Sequence, residues 1–274
     1  MAGPANRCAR LGAAPLDRAR VLAEAAGRLG TRIQHLELPD GRRAYLKIAP
    51  RGGPEDLGLE RDRLGWLAHR LPVPEVLGFD AGEDVERLLV SELPGTAAHL
   101  TEAVPRATVL GVVADALRRI QAVDVASCPF RATTCDEIAE ARAMVARGAI
   151  DEPGFLAVTG LSPAAALARI TALVAARPPR DAVWSHGDFC LPNVLIDGHR
   201  LGGILDWGLA RVADPARDLA MLEGSLRHNL GEASVSEFYA IWGARPPREQ
   251  VEMFDLLDEL FTRVRPTAVG EASP

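Results

Sequence analysis

Three oxygen-bearing side chains near residue 200 have the types and spacing needed to bind a metal ion and to move a proton. The segment His186-Gly187-Asp188 is followed by Asn193 and then by Asp206-Trp207-Gly208, in the pattern H-x-D-x-x-x-x-N and D-x-G. A carboxylate such as Asp188 accepts a proton from a hydroxyl group. An amide oxygen and a second carboxylate, here Asn193 and Asp206, are ligands that Mg²⁺ accepts beside the phosphates of a nucleotide. The pattern therefore predicts one general base and two metal ligands.

The elements around these residues are expected to return them to one edge of a hairpin. Residues 182–185 indicate a strand that enters the loop, and residues 193–196 indicate a strand that leaves it. Asp197-Gly198 is a tight-turn signal, and the apolar residues 201–205 form a second strand that ends on Asp206. The alternative is that the two carboxylates and the amide are ordinary turn residues.

A lysine and a glutamate in the first third of the chain form a second candidate pair. Lys47 lies on an apolar strand, and Glu60 follows it on a predicted helix. A lysine on a strand can hold the α- and β-phosphates of a nucleotide when a helix carboxylate orients its ammonium group. The alternative from the residues alone is that both are solvated surface charges.

The composition is typical of an ordinary globular protein. The 274 residues are 48% hydrophobic and 25% charged, with a net charge of −6. This charge argues against a nucleic-acid partner and is compatible with a cationic small molecule. The four cysteines lack metal-binding spacing, which favours reduced thiols and a cytoplasmic location. We expect no membrane association, because the chain has neither an apolar run long enough to span a bilayer nor an apolar signal segment at its start.

The order of predicted elements divides the chain into a small β-rich lobe and a larger helical lobe. Residues 1–15 are expected to be disordered, residues 16–93 to form the N-terminal lobe and residues 94–274 to form the C-terminal lobe. Residues 16–27 fit either a short helix or a first strand. Pro94-Gly95 marks the boundary between the lobes, and Ser162-Pro163 is a start signal for a helix in the second lobe.

Six segments resemble the aminoglycoside phosphotransferase family of the kinase-like superfamily, and its 3'-phosphotransferase branch most of all. The matches lie in the family's order and are residues 45–49, 59–67, 88–95, 128–130, 184–220 and 256–261. The resemblance implies an α+β fold like that of protein kinases, with a small β-sheet N-terminal lobe that carries one helix and a larger, mainly helical C-terminal lobe. It also implies transfer of the γ-phosphoryl group of ATP to a hydroxyl of an aminoglycoside antibiotic, which inactivates the antibiotic.

The same resemblance implies a role for each matching residue. Asp188 would be the catalytic base, and Asn193 and Asp206 would hold Mg²⁺. Lys47, Glu60, Ser91 and Leu93 would bind the nucleotide, and Asp258 and Glu259 would contact the cationic sugar. For the last pair the alternative is a solvated helix surface, and for Ser91 and Leu93 it is a plain strand end.

Two further residues of the same block have expected structural roles. His186 is expected to be a structural histidine of the loop, since the carboxylate of Asp188 is better placed to act as the base. Asp218 is expected to scaffold the loop or to cap the following helix.

Three departures from the family pattern leave alternatives open. The phosphate-binding glycine loop is degenerate, as Gly27-Arg28-Leu29-Gly30-Thr31, and Leu209 stands where an arginine is frequent, with Arg211 nearby. Residues 153–158 are apolar where the family is acidic. One alternative is therefore a kinase of another small molecule, such as streptomycin at its 3''-hydroxyl, a macrolide or a metabolite. The other is a catalytically weak kinase-like binding protein. The sequence leaves open which aminoglycoside and hydroxyl are used, whether GTP replaces ATP, and the oligomeric state.

Overall fold

The computed structural model of the chain describes residues 16, 18–27, 30–53, 55–101, 103–130 and 132–264. The strands within these residues are β1 (Arg20–Ala26), β2 (Arg32–Glu37), β3 (Arg43–Pro50), β4 (Val76–Ala81), β5 (Val85–Ser91), β6 (Thr96–Ala97), β7 (Val183–Ser185), β8 (Val194–Asp197), β9 (Arg200–Ile204) and β10 (Arg211–Ala213). The helices are α1 (Leu57–Leu67), α2 (Arg106–Gln121), α3 (Thr134–Ala146), α4 (Glu152–Thr159), α5 (Pro163–Ala176), α6 (Ala216–Leu230), α7 (Ala233–Trp242) and α8 (Arg248–Thr262).

The chain forms two compact units. The first comprises Met1–Arg119 and Leu191–Ala210, and the second comprises Ile120–Cys190 and Arg211–Pro274. The first contains the larger antiparallel sheet, and the second is mainly helical, as the predicted α+β class requires. The boundary between residues 93 and 94 stays a prediction. The predicted disorder of residues 1–15 lies outside the described residues.

The first unit is built on a five-stranded antiparallel sheet in the order β1-β2-β3-β5-β4. Its two faces differ because side chains alternate along each strand. Ala44, Leu46 and Ile48 of β3 belong to a buried apolar cluster on one face. Tyr45 and Lys47 therefore lie on the other face. Segment 16–27, which fitted either a helix or a strand, forms strand β1 from residue 20, because residues 20–26 pair antiparallel with β2.

Helix α1 follows the sheet's third strand and buries one side. Asp56 caps its first turn, because its carboxylate accepts a hydrogen bond from the Leu59 N–H at 2.8 Å. Leu57, Leu64 and Leu67 are buried at the spacing of one helix face. Glu60 and Arg63 lie among the buried residues of this helix, so the two charges need partners.

The β8–β9 hairpin also belongs to the first unit. Its strands pair from Val194 with Ile204 to Asp197 with Arg200, within one residue of the predicted strands. The segment before β6 approaches it closely, since a Cβ on Gly203 would lie 2.3 Å from Leu93 Cδ1. Gly95 has φ +109, and a Cβ there would lie 2.6 Å from the Ile196 carbonyl oxygen. These two glycines allow residues 93–95 to pack on the hairpin.

The second unit has an apolar core formed by its helices. Phe155 of α4, Ile170 of α5 and Leu257 and Leu260 of α8 are each at most 1% exposed. Helix α8 packs against both α5 and α6. The short strands β7 and β10 pair antiparallel, with Ser185 opposite Arg211.

Helices α4 and α5 are joined by a sharp corner. Gly160 ends α4 in the left-handed conformation (φ 70), and Ser162 caps α5 through a 3.2 Å hydrogen bond from the Ala165 N–H. The predicted start of a helix at Ser162-Pro163 is confirmed. No single helix in the described parts of the chain is long and apolar enough to cross a membrane. Among the described helices, α4 and α5 pass that test of length and composition only when they are taken together, and they are bent by 53°.

Candidate active site

Lys47 is the centre of a charged cluster in the first unit. Its Nζ atom donates to both carboxylate oxygens of Glu60, at 2.7 and 2.9 Å, and to Asp206 Oδ1 at 3.2 Å. The side chains of Lys47 and Glu60 are 15% and 6% exposed. Burial alone would lower the pKa of Lys47, but the two carboxylates outweigh it and raise the pKa above its ordinary value. The ammonium group is thus charged and fixed, and the alternative of two solvated surface charges is excluded.

Helix α1 contributes a second contact that the sequence interpretation missed. Arg63, one turn after Glu60, is 6% exposed and donates through Nη1 to the backbone carbonyl of Gly208. The same helix therefore supports both Lys47 and the segment that carries Asp206. A signal was available in the sequence, because Arg63 shares a helix face with Glu60 and the leucines.

Asp206 adopts a backbone conformation that side chains other than glycine rarely take. Its φ is 62, and it is the one non-glycine residue with positive φ in the described ranges. The next residue, Trp207, is fully buried and donates from Nε1 to the Ile204 carbonyl at 3.0 Å. The Asp206 side chain remains 53% exposed. The buried tryptophan thus anchors a strained turn that directs a carboxylate outwards.

Asn193 and Asp206 flank the β8–β9 hairpin at its open end. The Leu205 N–H donates to the Asn193 carbonyl at 2.9 Å, so the two flanking segments run side by side. Mg²⁺ takes oxygen ligands and is usually held by one or two protein groups together with substrate phosphates. One amide and one exposed carboxylate fit that ion. Within the described residues, no three histidine, cysteine or acidic side chains cluster as a metal site of their own.

Ser91 and Leu93 lie where β5 leaves the sheet. The Ser91 N–H donates to the Glu75 carbonyl at 2.9 Å, and the Ser91 hydroxyl accepts from the Glu75 N–H at 2.9 Å. The Glu92 N–H donates to the Arg43 carbonyl. The Leu93 N–H has no acceptor among the described residues. Of these three donors, it is the one that a ligand could use.

The degenerate glycine loop lies between β1 and β2, and its residues 28 and 29 are outside the described residues. Its ends are joined, since the Gly27 N–H donates to the Thr31 carbonyl at 2.7 Å. The hydroxyl of Thr31, a buried residue, donates to Glu55 Oε2 at 2.7 Å. The one hydroxyl of this loop is therefore directed at a carboxylate.

Asp188 lies in the second unit, in a loop that a buried aspartate holds. Asp218 is 1% exposed and accepts three hydrogen bonds of 2.9 Å, from the Ser185 hydroxyl and the N–H groups of His186 and Gly187. His186 is fully buried, and its Nδ1 accepts from the Asp188 N–H at 3.2 Å. The structural role expected for His186 and the scaffolding role expected for Asp218 are both confirmed. The Asp188 side chain itself is partly exposed.

A second buried ion cluster packs in the same unit. Arg217 donates to both oxygens of Glu137, at 3.2 and 2.5 Å, and Arg211 lies 3.6 Å from the same carboxylate. Burial lowers the pKa of Arg217, but Glu137 raises it more, so the net shift is upwards. Arg211 is thus engaged with Glu137, while Leu209, at the position where the family often has an arginine, is exposed.

The predicted substrate carboxylates lie on α8. Glu259 lines a cleft of ≈ 1070 Å³ in the second unit, and it accepts a 2.6 Å hydrogen bond from Arg263. Asp258 lies close enough to Arg217 to contribute to the raised pKa of that arginine. The two adjacent carboxylates therefore have different surroundings. Lys47, Glu60 and Asp206 are brought together in the first unit, and Asp188, Asp258 and Glu259 belong to the second.

Comparison with known proteins assigns the chain to a family. The model of the phosphotransferase enzyme family matches residues 22–254. The chain belongs to this family. Curated relatives match this phosphotransferase over most of its length. A streptomycin 3''-kinase from Streptomyces griseus is 36% identical over 255 residues, which is 87% of this chain and 91% of the relative.

The relatives also include aminoglycoside 3'-phosphotransferases, the branch predicted from the sequence motifs. An aminoglycoside 3'-phosphotransferase from Niallia circulans is 30% identical over 242 residues, or 86% of this phosphotransferase and 90% of the relative. The solved structure of the aminoglycoside phosphotransferase APH(3'')-Id from Streptomyces rimosus, in complex with ADP and streptomycin, aligns with a TM-score of 0.71. It is 30% identical, with 86% of this chain and 94% of that chain covered. The predicted family and the kinase-like fold are confirmed.

Proposed function

We propose that this phosphotransferase transfers the γ-phosphoryl group of ATP to a hydroxyl of an aminoglycoside antibiotic and so inactivates it. The observation that carries the proposal is the position of Lys47, fixed by Glu60 and adjacent to Asp206. This is the arrangement that nucleotide phosphates need: a fixed positive charge beside a carboxylate able to hold a cation. The named activities of the relatives support the same reaction class.

The nucleotide is assigned to the first unit. Lys47 would donate to the α- and β-phosphates, and Glu60 would keep its ammonium group in place while the nucleotide enters. Asn193 and Asp206 would hold Mg²⁺, which supplies positive charge to the phosphate oxygens. The Leu93 N–H and the Ser91 carbonyl would bind the edge of adenine.

Asp188 would orient the acceptor hydroxyl and take its proton. The Asp218 contacts fix the loop on which Asp188 lies, so its carboxylate is positioned before the substrate arrives. Since phosphoryl transfer depends mainly on positioning and charge, loss of Asp188 should reduce turnover far more than it reduces folding.

The acceptor is assigned to the cleft beside α8. Glu259 lines this cleft, and Asp258 precedes it on the same helix. Carboxylates at this position would attract the ammonium or guanidinium groups of an aminoglycoside. A streptomycin-type acceptor is favoured for the first test, because a streptomycin kinase is among the relatives that match this chain over most of its length.

The test is phosphotransfer by the purified protein, followed as ADP release with Mg·ATP and either streptomycin or kanamycin. We expect acceptor-dependent ADP release that Asp188→Asn lowers by about 10²–10⁴-fold. The matched control is Asp197→Asn, in the turn of the β8–β9 hairpin, which should retain full activity. Near-full activity in Asp188→Asn would overturn the assignment of the base. Absence of acceptor-dependent ADP release with every aminoglycoside, with Mg·ATP bound, would overturn the proposed function.

A further inference from the structure

The cleft in the second unit has walls of different character. Val158 and Thr159 of α4 form one side, together with Arg169 of α5. Pro246 and Leu256 add apolar surface, and α6 and α8 supply the acidic residues. Val158 is 59% exposed, so α4 presents an apolar surface where the family pattern predicted acidic residues. The negative charge that could attract a cationic acceptor must therefore come from α6 and α8.

Glu223 is the most deeply buried carboxylate that lines the cleft, and the chain itself neutralises it. It is 1% exposed, and its oxygens accept from Arg245 at 3.0 and 2.5 Å, from Arg227 at 2.6 Å and from the Tyr239 hydroxyl at 2.9 Å. Burial raises the pKa of Glu223, but Arg245 and Tyr239 outweigh it and lower the pKa below its ordinary value. Glu223 is thus ionised but already paired.

Two carboxylates of α8 are paired in the same way. Glu252 accepts both hydrogen bonds of a fork from Arg169, at 2.7 and 2.8 Å. Glu259 accepts from Arg263 at 2.6 Å. A bidentate arginine contact occupies the lone pairs that a cationic ligand would use. An acceptor cation would have to displace Arg169 to reach Glu252, whereas the single bond from Arg263 occupies one of the two oxygens of Glu259.

Asp255 differs from these carboxylates, although it lies between Glu252 and Glu259 on the same helix. Its carboxylate is exposed to the cleft and makes no hydrogen bond or ion pair with the described residues. Loss of hydration within the cleft and the nearby charge of Glu223 raise the pKa of Asp255 to about 7. Asp258 and Glu252 act in the same direction, and Arg227 opposes them only in part. Asp255 is therefore an unpaired carboxylate that is repelled by the negative charges around it. A cationic ligand would offset this repulsion.

We propose that Asp255 is a specificity-determining residue of the acceptor cleft, and that it binds one ammonium or guanidinium group of the acceptor while Glu223 and Glu252, which arginines already pair, do not. This inference rests on the proposed function, because it takes the cleft to be the acceptor site. It narrows the substrate class to hydroxylated molecules that place one cationic group against α8 and a less polar face against Val158 and Pro246. Molecules whose recognition requires several free carboxylates would be poor acceptors.

The binding of a cation next to Asp255 has a second measurable consequence. An opposite charge favours the ionised carboxylate, so the acceptor should release a proton from Asp255 near pH 7. The other charged groups that line the cleft or act on Asp255 are Arg169 on α5, Glu223 and Arg227 on α6, Arg245 before α8, and Arg248, Glu249, Glu252, Asp258 and Glu259 on α8. Arginines stay protonated across this pH range. The removal of Asp255 should therefore remove the proton release.

The experiment is calorimetric titration of the whole protein with streptomycin at pH 7, in two buffers that differ in ionisation enthalpy. For the wild type we expect release of roughly half a proton per bound streptomycin. Asp255→Asn, which has the same shape, should abolish the release and weaken binding about tenfold, while kcat at saturation changes little. The matched control is Glu140→Gln, an exposed carboxylate on α3 in the same unit that does not line the cleft. It should leave both quantities within about twofold of the wild type.

The outcomes separate the two proposals. If Asp255→Asn binds streptomycin with wild-type affinity and releases the same proton, the role of Asp255 is overturned and the proposed function stands. An equal loss in Glu140→Gln would show general attraction by the acidic protein and would also overturn it. If the wild type binds neither streptomycin nor kanamycin, both proposals fall. His228→Asn is included because His228 follows Arg227 on α6, and proton release that disappears in this variant would reassign the titrating group.

Discussion

The replacement of Glu60 by glutamine tests the charged cluster on which the nucleotide assignment depends. The change removes a negative charge that lies 2.7 and 2.9 Å from Lys47 Nζ and leaves one acceptor oxygen in its place. Removal of one partner of a buried ion pair typically costs about 3–5 kcal/mol. Because the glutamine oxygen still accepts one hydrogen bond and Asp206 remains 3.2 Å from Nζ, we expect a smaller loss, of about 2–3 kcal/mol. That is a large part of the about 5–15 kcal/mol that stabilises a typical domain.

The assay is urea unfolding, with the slope m compared between variants so that a changed midpoint reports stability. Lys47 should then turn towards Asp206, so we also expect the dissociation constant of Mg·ATP to rise about tenfold, or about 1.4 kcal/mol. The control is Glu37→Gln, which breaks the exposed 2.8 Å pair with Arg20 on the same sheet and should change neither quantity measurably. If Glu60→Gln unfolds at the same urea concentration as Glu37→Gln, the reasoning about the buried cluster is wrong.

Three further predictions concern stability and loop geometry. Asp255→Asn should stabilise the protein by about 1 kcal/mol at pH 8, after allowance for solvent screening. The pKa of Asp255 in the folded protein is raised to about 7, so the wild type loses stability as the pH rises towards and through 7. The gain should shrink as the pH falls below 7 and disappear at about pH 4, near the pKa of Asp in the unfolded chain, in thermal unfolding scans; a gain that persists at about pH 4 would contradict the raised pKa. Asp218→Asn should lower kcat at least tenfold, because the amide NH₂ would face at least one of the three groups that donate to Asp218. An unchanged kcat would show that the loop carrying Asp188 does not need these hydrogen bonds. Gly95→Ala should cost about 3 kcal/mol or more, because its Cβ would meet the Ile196 carbonyl and its φ is +109. Gly111→Ala, with open space in helix α2, should instead be neutral or stabilising, and equal effects of the two alanines would refute the packing argument.

The elements with strong local signals were predictable from the sequence. The β8–β9 hairpin was placed within one residue, because apolar strands on both sides of Asp197-Gly198 leave few alternatives. The start of α5 followed from Ser162-Pro163 for the same reason. By contrast, residues 16–27 were ambiguous, because strand β1 is defined by its pairing with β2 rather than by its own alanine-rich sequence.

The features that depend on distant residues were not predictable. The spacing of α1 indicated that Arg63 is buried but not its partner, because the contact with the Gly208 carbonyl joins residues 145 positions apart in the chain. The left-handed conformation of Asp206 depends on the packing of Trp207, which no local pattern reveals. Likewise, Glu252 and Glu259 of α8 are each paired with an arginine, and the partner of Glu252, Arg169, comes from another helix. Spacing identified which residues carry charge, but not which of those charges remain available.

Helix α1 supports the proposed nucleotide site through two residues one turn apart. Glu60 holds the ammonium group of Lys47, and Arg63 holds the peptide that follows Asp206 and Trp207. A small rotation of this one helix would break both contacts together, since each depends on the same buried face. The five-stranded sheet and the segment that follows the β8–β9 hairpin are thus both held by contacts with α1. A shift of α1 would therefore alter the position of the Lys47 ammonium group and of the segment that carries Asp206 at the same time.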